Sequence, residues 1–111
     1  MKLIIAIVQD EDTSRLVNQL MKNGFGVTKL ATTGGFLRAG NTTLLIGVDD
    51  DKLHAAMDII EHVCKSRKQV TTAPSAMGSM GGMPGAASYP VEVTVGGATV
   101  FVLSVDQFVK L

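Results

Sequence analysis

The chain has 111 residues, 46% of them hydrophobic, a formal net charge of +0 and a single cysteine, Cys64. That length holds one domain with a modest core, a size that often gains stability by association. The apolar content excludes a disordered chain, the neutral balance excludes nucleic-acid binding through bulk positive charge, and the lone cysteine excludes an internal disulfide and fits a reducing compartment.

Leu3-Ile4-Ile5-Ala6-Ile7-Val8 is a short, β-branched run without polar alternation. It predicts a fully buried strand and is too short for a membrane span. Asp10-Glu11-Asp12 follows at once, with no small-residue cleavage site. A signal peptide is therefore not expected, and the expected location is cytoplasmic, with neither a membrane nor a nucleic acid as partner. Asp10 or Asp12 is suited to cap a helix, in which Leu16, Val17, Leu20 and Met21 recur with helical spacing. Asn23-Gly24 ends it, Gly24 being available for a left-handed cap. A second strand is predicted over 27–31 and a third over 42–48.

A second helix is predicted from Asp49-Asp50-Asp51, with Lys65, Arg67 and Lys68 at its end, an order of charge that suits the helix dipole. Leu53, Ala56, Met57, Ile60, Val63 and Cys64 form its apolar stripe. Residues 73–88 are rich in Gly, Ala, Ser and Met, hold Pro74 and Pro84, and predict a flexible loop. Residues 91–105 read as two alternating strands joined at Gly96-Gly97 as a hairpin.

Ile4-Ile5-Ala6-Ile7-Val8-Gln9-Asp10 is echoed by Leu44-Leu45-Ile46-Gly47-Val48-Asp49-Asp50. Strand–helix–strand twice over predicts an α+β, ferredoxin-like split βαβ sheet with both helices on one face, extended by the C-terminal hairpin. The other face is left apolar, with Ile5, Ile7, Leu44 and Ile46 as its expected members, and such a face is usually covered by another subunit.

Between the second and third strands, residues 30–43 hold three glycines, four threonines, an asparagine and Arg38, with Phe36-Leu37 at the tip. Backbone N–H groups, hydroxyls, a cation and two apolar side chains suit a ligand with phosphates and a flat base. The other reading is a long connection whose threonines bond locally, with Phe36-Leu37 tucked against a neighbour. Gly35 to Thr42 nearly matches a phosphate-binding P-loop, but Asn41 replaces its lysine and a strand follows where a helix is needed. A hydrolytic P-loop is rejected on that ground.

His54, His62 and Cys64 lack metal-ligand spacing. No nucleophile stands with a base, so neither catalysis nor a metal or cofactor is expected. Cys64 reads as a core residue. The Met77-to-Met83 stretch reads either as an adaptable binding surface or as a disordered connection.

Lys29-Leu30-Ala31-Thr32-Thr33-Gly34-Gly35-Phe36-Leu37-Arg38-Ala39-Gly40-Asn41-Thr42-Thr43 closely resembles the signature of the cyclic di-AMP receptor family of PII-like proteins. The resemblance continues in Ile5-Ala6-Ile7-Val8-Gln9-Asp10, in Tyr89-Pro90-Val91-Glu92-Val93 and from Val95 to Leu103. It implies a single PII-like domain over 1–111, assembled as a homotrimer, with a short signalling loop at about 32–41 and a long flexible loop at about 67–90. It implies a non-enzymatic receptor that binds cyclic di-AMP between subunits and passes a loop change to a downstream protein. The ligand-binding positions it implies are Thr28, Phe36, Leu37, Asn41 and Gly47, with Phe101 close by; Gly35 and Arg38 join them as candidates from the loop's own backbone and charge. The chain departs from the family pattern at Gly24 and Gly26, where members carry Asn and Arg, and at Lys110, where some members place a ligand-touching Gln. Those departures keep open a second reading, in which a trimeric interaction module binds another nucleotide or none.

Overall fold

The first apolar run becomes β1 (Lys2–Gln9), and its side chains alternate between two environments. Ile4, Ala6 and Val8 are fully buried, whereas Leu3, Ile5 and Ile7 are half-buried. The computed structural model describes residues 1–30, 40–74 and 88–111, which form two units, Met1–Lys65 with Gly96–Leu111 and Ser66–Val95.

In the first unit β1 is followed by α1 (Asp10–Lys22), β2 (Val27–Lys29), β3 (Asn41–Val48), a 3-10 turn (Asp50–Lys52), α2 (Leu53–Cys64) and, after the second unit, β6 (Ala98–Ser104). The second unit is β4 (Arg67–Pro74) paired antiparallel with β5 (Ser88–Val95). The sheet of the first unit runs β2-β3-β1-β6, all antiparallel. The result is a small α+β fold with two helices, consistent with a ferredoxin-like arrangement.

Ile4, Ala6 and Val8 of β1 share a face with Leu44, Ile46 and Val48 of β3. Leu16 and Leu20 of α1 and Ala56, Ile60, Val63 and Cys64 of α2 join the same core, so both helices cover one face of the sheet. Full burial of an aliphatic side chain of this kind contributes about 1.5–3 kcal/mol. Arg15 Nη2 donates to the Val63 carbonyl at 2.8 Å and ties the helices together.

The end of α1 shows why Asn23-Gly24-Phe25 follows it. Gly24 takes φ 86°, the Phe25 amide donates to the Leu20 carbonyl at 3.0 Å, and the Gly24 amide donates to Met21 at 3.0 Å. This is a Schellman cap, and the Phe25 ring joins Leu20 in the core as that motif favours.

Several expectations are corrected. Leu44 and Ile46 lie on the helix-covered face, not the open one, because β1 and β3 pair Ala6 with Leu44 and Ile4 with Ile46. Met21 points to solvent. Neither Asp10 nor Asp12 caps α1: Gln9 is the N-cap residue and makes no side-chain cap bond. Asp10 instead accepts from Thr42 Oγ1 at 2.5 Å, and its own amide donates to Gly40 O at 2.8 Å. Arg67 and Lys68 lie in β4, beyond the end of α2.

Gly96-Gly97 does not close a hairpin, because β5 pairs with β4 while β6 pairs with β1. Both glycines do have positive φ, as a tight turn would need. Their amides go elsewhere, Gly96 N–H to Gln9 Oε1 at 2.7 Å and Gly97 N–H to the Cys64 carbonyl. The hairpin therefore precedes the last core strand, and it occupies both ends of the expected 67–90 loop as paired strands.

The Met1 amino group lies 2.9 Å from Asp50 Oδ1. The hydrogen bond from that amine, reinforced by its charge, holds the Asp50 carboxyl below its usual 3.8. A group with a lowered folded pKa adds stability above its unfolded value and loses it as pH falls through the folded one. Asp50→Asn should therefore lower the melting temperature slightly near neutral pH and leave it unchanged once the carboxyl is protonated. Thermal melts of both proteins at neutral pH and in steps down through the acid range check this, the gap between them closing as pH falls.

Candidate ligand groove

The face of the sheet away from the helices carries the odd-numbered side chains of β1 and β3. The pairing sets Thr28 of β2 opposite Leu45 of β3, Leu45 opposite Ile5 of β1, and Ile5 opposite Phe101 of β6. One row across the sheet thus reads Thr28-Leu45-Ile5-Phe101, with a predicted site residue at each end. Phe101 is 52% exposed and Leu103, two residues on, is 45% exposed, so this face ends in an uncovered apolar patch on β6.

A groove of about 660 Å³ opens on this face. Leu3, Leu45, Thr28, Gly26 and Gly47 form its sheet side. Met1 and the C-terminal tail residues Val105, Phe108, Val109 and Lys110 form the other. Its size falls in the range of small-molecule sites, and its walls are largely apolar with few polar groups, as such sites usually are. A β-carbon built on Gly47 would approach Met1 Cε at 3.3 Å, while one on Gly26 would meet nothing within 4 Å. Gly47 keeps the groove open beside the Met1 side chain, and Gly26 leaves room at its rim.

The fold therefore brings Thr28 and Gly47 together in one groove. It places Phe101 on the same face but two strands further across, outside the groove lining. Asn41 stands at the opposite end of β3, opposite Gln9. It borders a hollow of about 300 Å³ with Gln9, Gly96 and Thr99, and another of about 440 Å³ with Asp10, Ser14 and Lys29. Asn41 and Gly47 lie six residue steps apart along the strand, a distance of about 20 Å. Gly35, Phe36, Leu37 and Arg38 lie outside the described residues, as does the Met77-to-Met83 stretch.

Residue reading alone did not reveal the apolar part of the groove. Leu3 and Leu45 were legible only as strand residues, since an unbroken apolar run hides which face each side chain takes. Phe108 and Val109 sit in an irregular tail whose sequence has no period to interpret.

Among the described residues no group of His, Cys, Asp and Glu could hold a metal ion, and Cys64 is buried in the core. No helix among them is long and apolar enough to cross a membrane.

A crystal structure titled as that of a functionally unknown protein from Pediococcus pentosaceus ATCC 25745 is similar, at 41% sequence identity and a TM-score of 0.75 over 99% of this chain and 96% of that one. The profile of the cyclic-di-AMP receptor family matches residues 1–111. With that match spanning its whole length, the chain belongs to the cyclic-di-AMP receptor family.

Proposed function

We propose that this protein is a non-enzymatic signalling receptor that binds cyclic di-AMP and works as a PII-like homotrimer. The observation that carries the reading is the open-face groove, in which Thr28 and Gly47 meet beneath an apolar wall, in a chain of the cyclic-di-AMP receptor family. The apolar walls suit adenine rings, and the Thr28 hydroxyl and strand-end backbone offer polar contacts.

Two features support a site shared between copies. The open face carries half-buried Leu3, Ile5 and Ile7 and the exposed Phe101 and Leu103, the kind of patch that a second copy covers. The separation of Asn41 from Gly47 along β3 exceeds the reach of one adenylate unit, so a ligand that touches both is best served by Gly47 of one copy and Asn41 of another. In this reading Gly35, Phe36, Leu37 and Arg38 add the loop's contacts, and the loop's response to ligand is what a downstream protein senses.

Gly26 lines the groove without offering any side chain. That observation favours, as the second reading, a trimeric module that binds another nucleotide or none. A thermal-shift panel over ATP, ADP, AMP and cyclic di-AMP separates the two. Stabilisation by cyclic di-AMP alone supports the receptor, and a flat response to it supports the module. Asn41→Ala should weaken cyclic di-AMP binding more than tenfold in calorimetry while light scattering still returns three times the mass of one chain. Unchanged affinity would remove Asn41 from the site.

A further inference from the structure

We infer that Gln9 is a positioning residue that couples the start of β3 to the neck of the β4–β5 hairpin; this rests on the cyclic di-AMP reading above, in which the ligand touches Asn41. The chain leaves the first unit after Lys65 and re-enters it at Gly96. At the re-entry Gly96 and Gly97 both take left-handed backbone, with φ of 84° and 88°. The Gly97 N–H donates to the Cys64 carbonyl and so ties the re-entry point to the last residue of α2. The Gly96 N–H has a different kind of acceptor, the side-chain Oε1 of Gln9 at 2.7 Å. A helix carbonyl moves only with its helix, whereas a glutamine side chain turns away by a change of rotamer. Gly97 is thus the fixed pivot of the neck, and Gly96 is its releasable latch.

Gln9 also stands directly opposite Asn41 in the register of β1 and β3. Side chains paired in this way share a face, with β-carbons about 5 Å apart. Gln9, Asn41, Gly96 and Gly97 all border one hollow of about 300 Å³. The next residue, Asp10, holds both chain neighbours of Asn41. Its amide donates to the Gly40 carbonyl at 2.8 Å, and its Oδ1 accepts from Thr42 Oγ1 at 2.5 Å. The pair Gln9-Asp10 therefore grips the start of β3 and the hairpin neck at once. Gln9 is half-buried beside the hollow and has room to swing. A ligand on Asn41 takes up that room, holds Gln9 in its bonded rotamer and keeps the latch closed, an effect carried by ordering rather than by a large displacement. By linkage, a closed latch favours the ligand in return.

The test is amide hydrogen exchange at Gly96, read by NMR without and with saturating cyclic di-AMP, on wild type, Gln9→Ala and Gln9→Glu, with calorimetry to establish binding by each. Gln9 makes no side-chain cap bond to α1, so neither substitution costs the helix its start. Gln9→Glu keeps the Oε1 acceptor. Without ligand, Gly96 should exchange about threefold to tenfold faster in Gln9→Ala than in wild type, the loss of one hydrogen bond, with Gly97 unchanged. Cyclic di-AMP should slow Gly96 in wild type and in Gln9→Glu by a similar factor and leave it unaltered in Gln9→Ala. A merely structural role would change the ligand-free rate without making the ligand's effect depend on Gln9. Equal ligand-free rates in wild type and Gln9→Ala, slowing by ligand that is the same in all three or absent from bound wild type, or complete loss of binding in Gln9→Ala, which would make Gln9 a ligand contact, each overturn the inference and leave the receptor reading standing. If wild type gives no heat with cyclic di-AMP, the receptor reading falls and this inference with it.

Discussion

Gly47→Trp is expected to weaken cyclic di-AMP binding by at least about a hundredfold, a change of about 2.7 kcal/mol or more, with the fold retained. Gly47 is exposed in the groove, in extended backbone that any residue adopts. Its new β-carbon would sit 3.3 Å from Met1 Cε, the free end of a flexible thioether, so a small shift of Met1 accommodates it. The indole beyond it must enter the groove between Leu3 and the tail, where the ligand would lie. An aromatic side chain suits a strand position, so the protomer's stability should change little. Calorimetry reads the affinity and a thermal melt reads the fold. Undiminished binding would place the ligand outside this groove.

The largest effect on stability is expected from Leu44→Ala. Leu44 is fully buried on the helix-covered face, opposite Ala6 of β1. Its truncation removes packing and leaves a cavity, at a cost of about 2–5 kcal/mol. For a domain of this size that corresponds to a melting temperature lower by roughly 10–25 °C. Leu45→Ala, one residue along but on the open face, should cost the protomer less than half as much. Urea melts of the two variants compare the faces directly, and equal costs would contradict the assignment of Leu44 to the core.

Leu44 and Leu45 also mark how far the sequence could be read. Strand β1, both helices and the α2 stripe were legible because 3.6-residue spacing and β-branched runs are local signals. Gly24 was legible because only a left-handed residue completes that cap. The face of each β3 residue was not, since a run without polar alternation carries no parity and only the register with β1 supplies it. Gly96-Gly97 misled for a related reason. Positive φ is what a hairpin turn needs, but which strand β5 chooses is a non-local matter. The pairing of β4 with β5 and the capture of both glycine amides by Gln9 and Cys64 decide it.

The candidate site was legible in part. Thr28 and Gly47 came from the family resemblance, and the fold sets them in one groove; Asn41 and Phe101 fall outside it on the same chain. That scatter is what a site divided between copies would produce. Phe108, Val109 and Met1 left no signal, because tail residues gain meaning only from the sheet face they cover.

The central claim, that this chain is a cyclic di-AMP receptor, is tested most directly by isothermal calorimetry with cyclic di-AMP and the wild-type protein. The account predicts saturable binding with one cyclic di-AMP for each chain. No detectable heat at high micromolar ligand would contradict it.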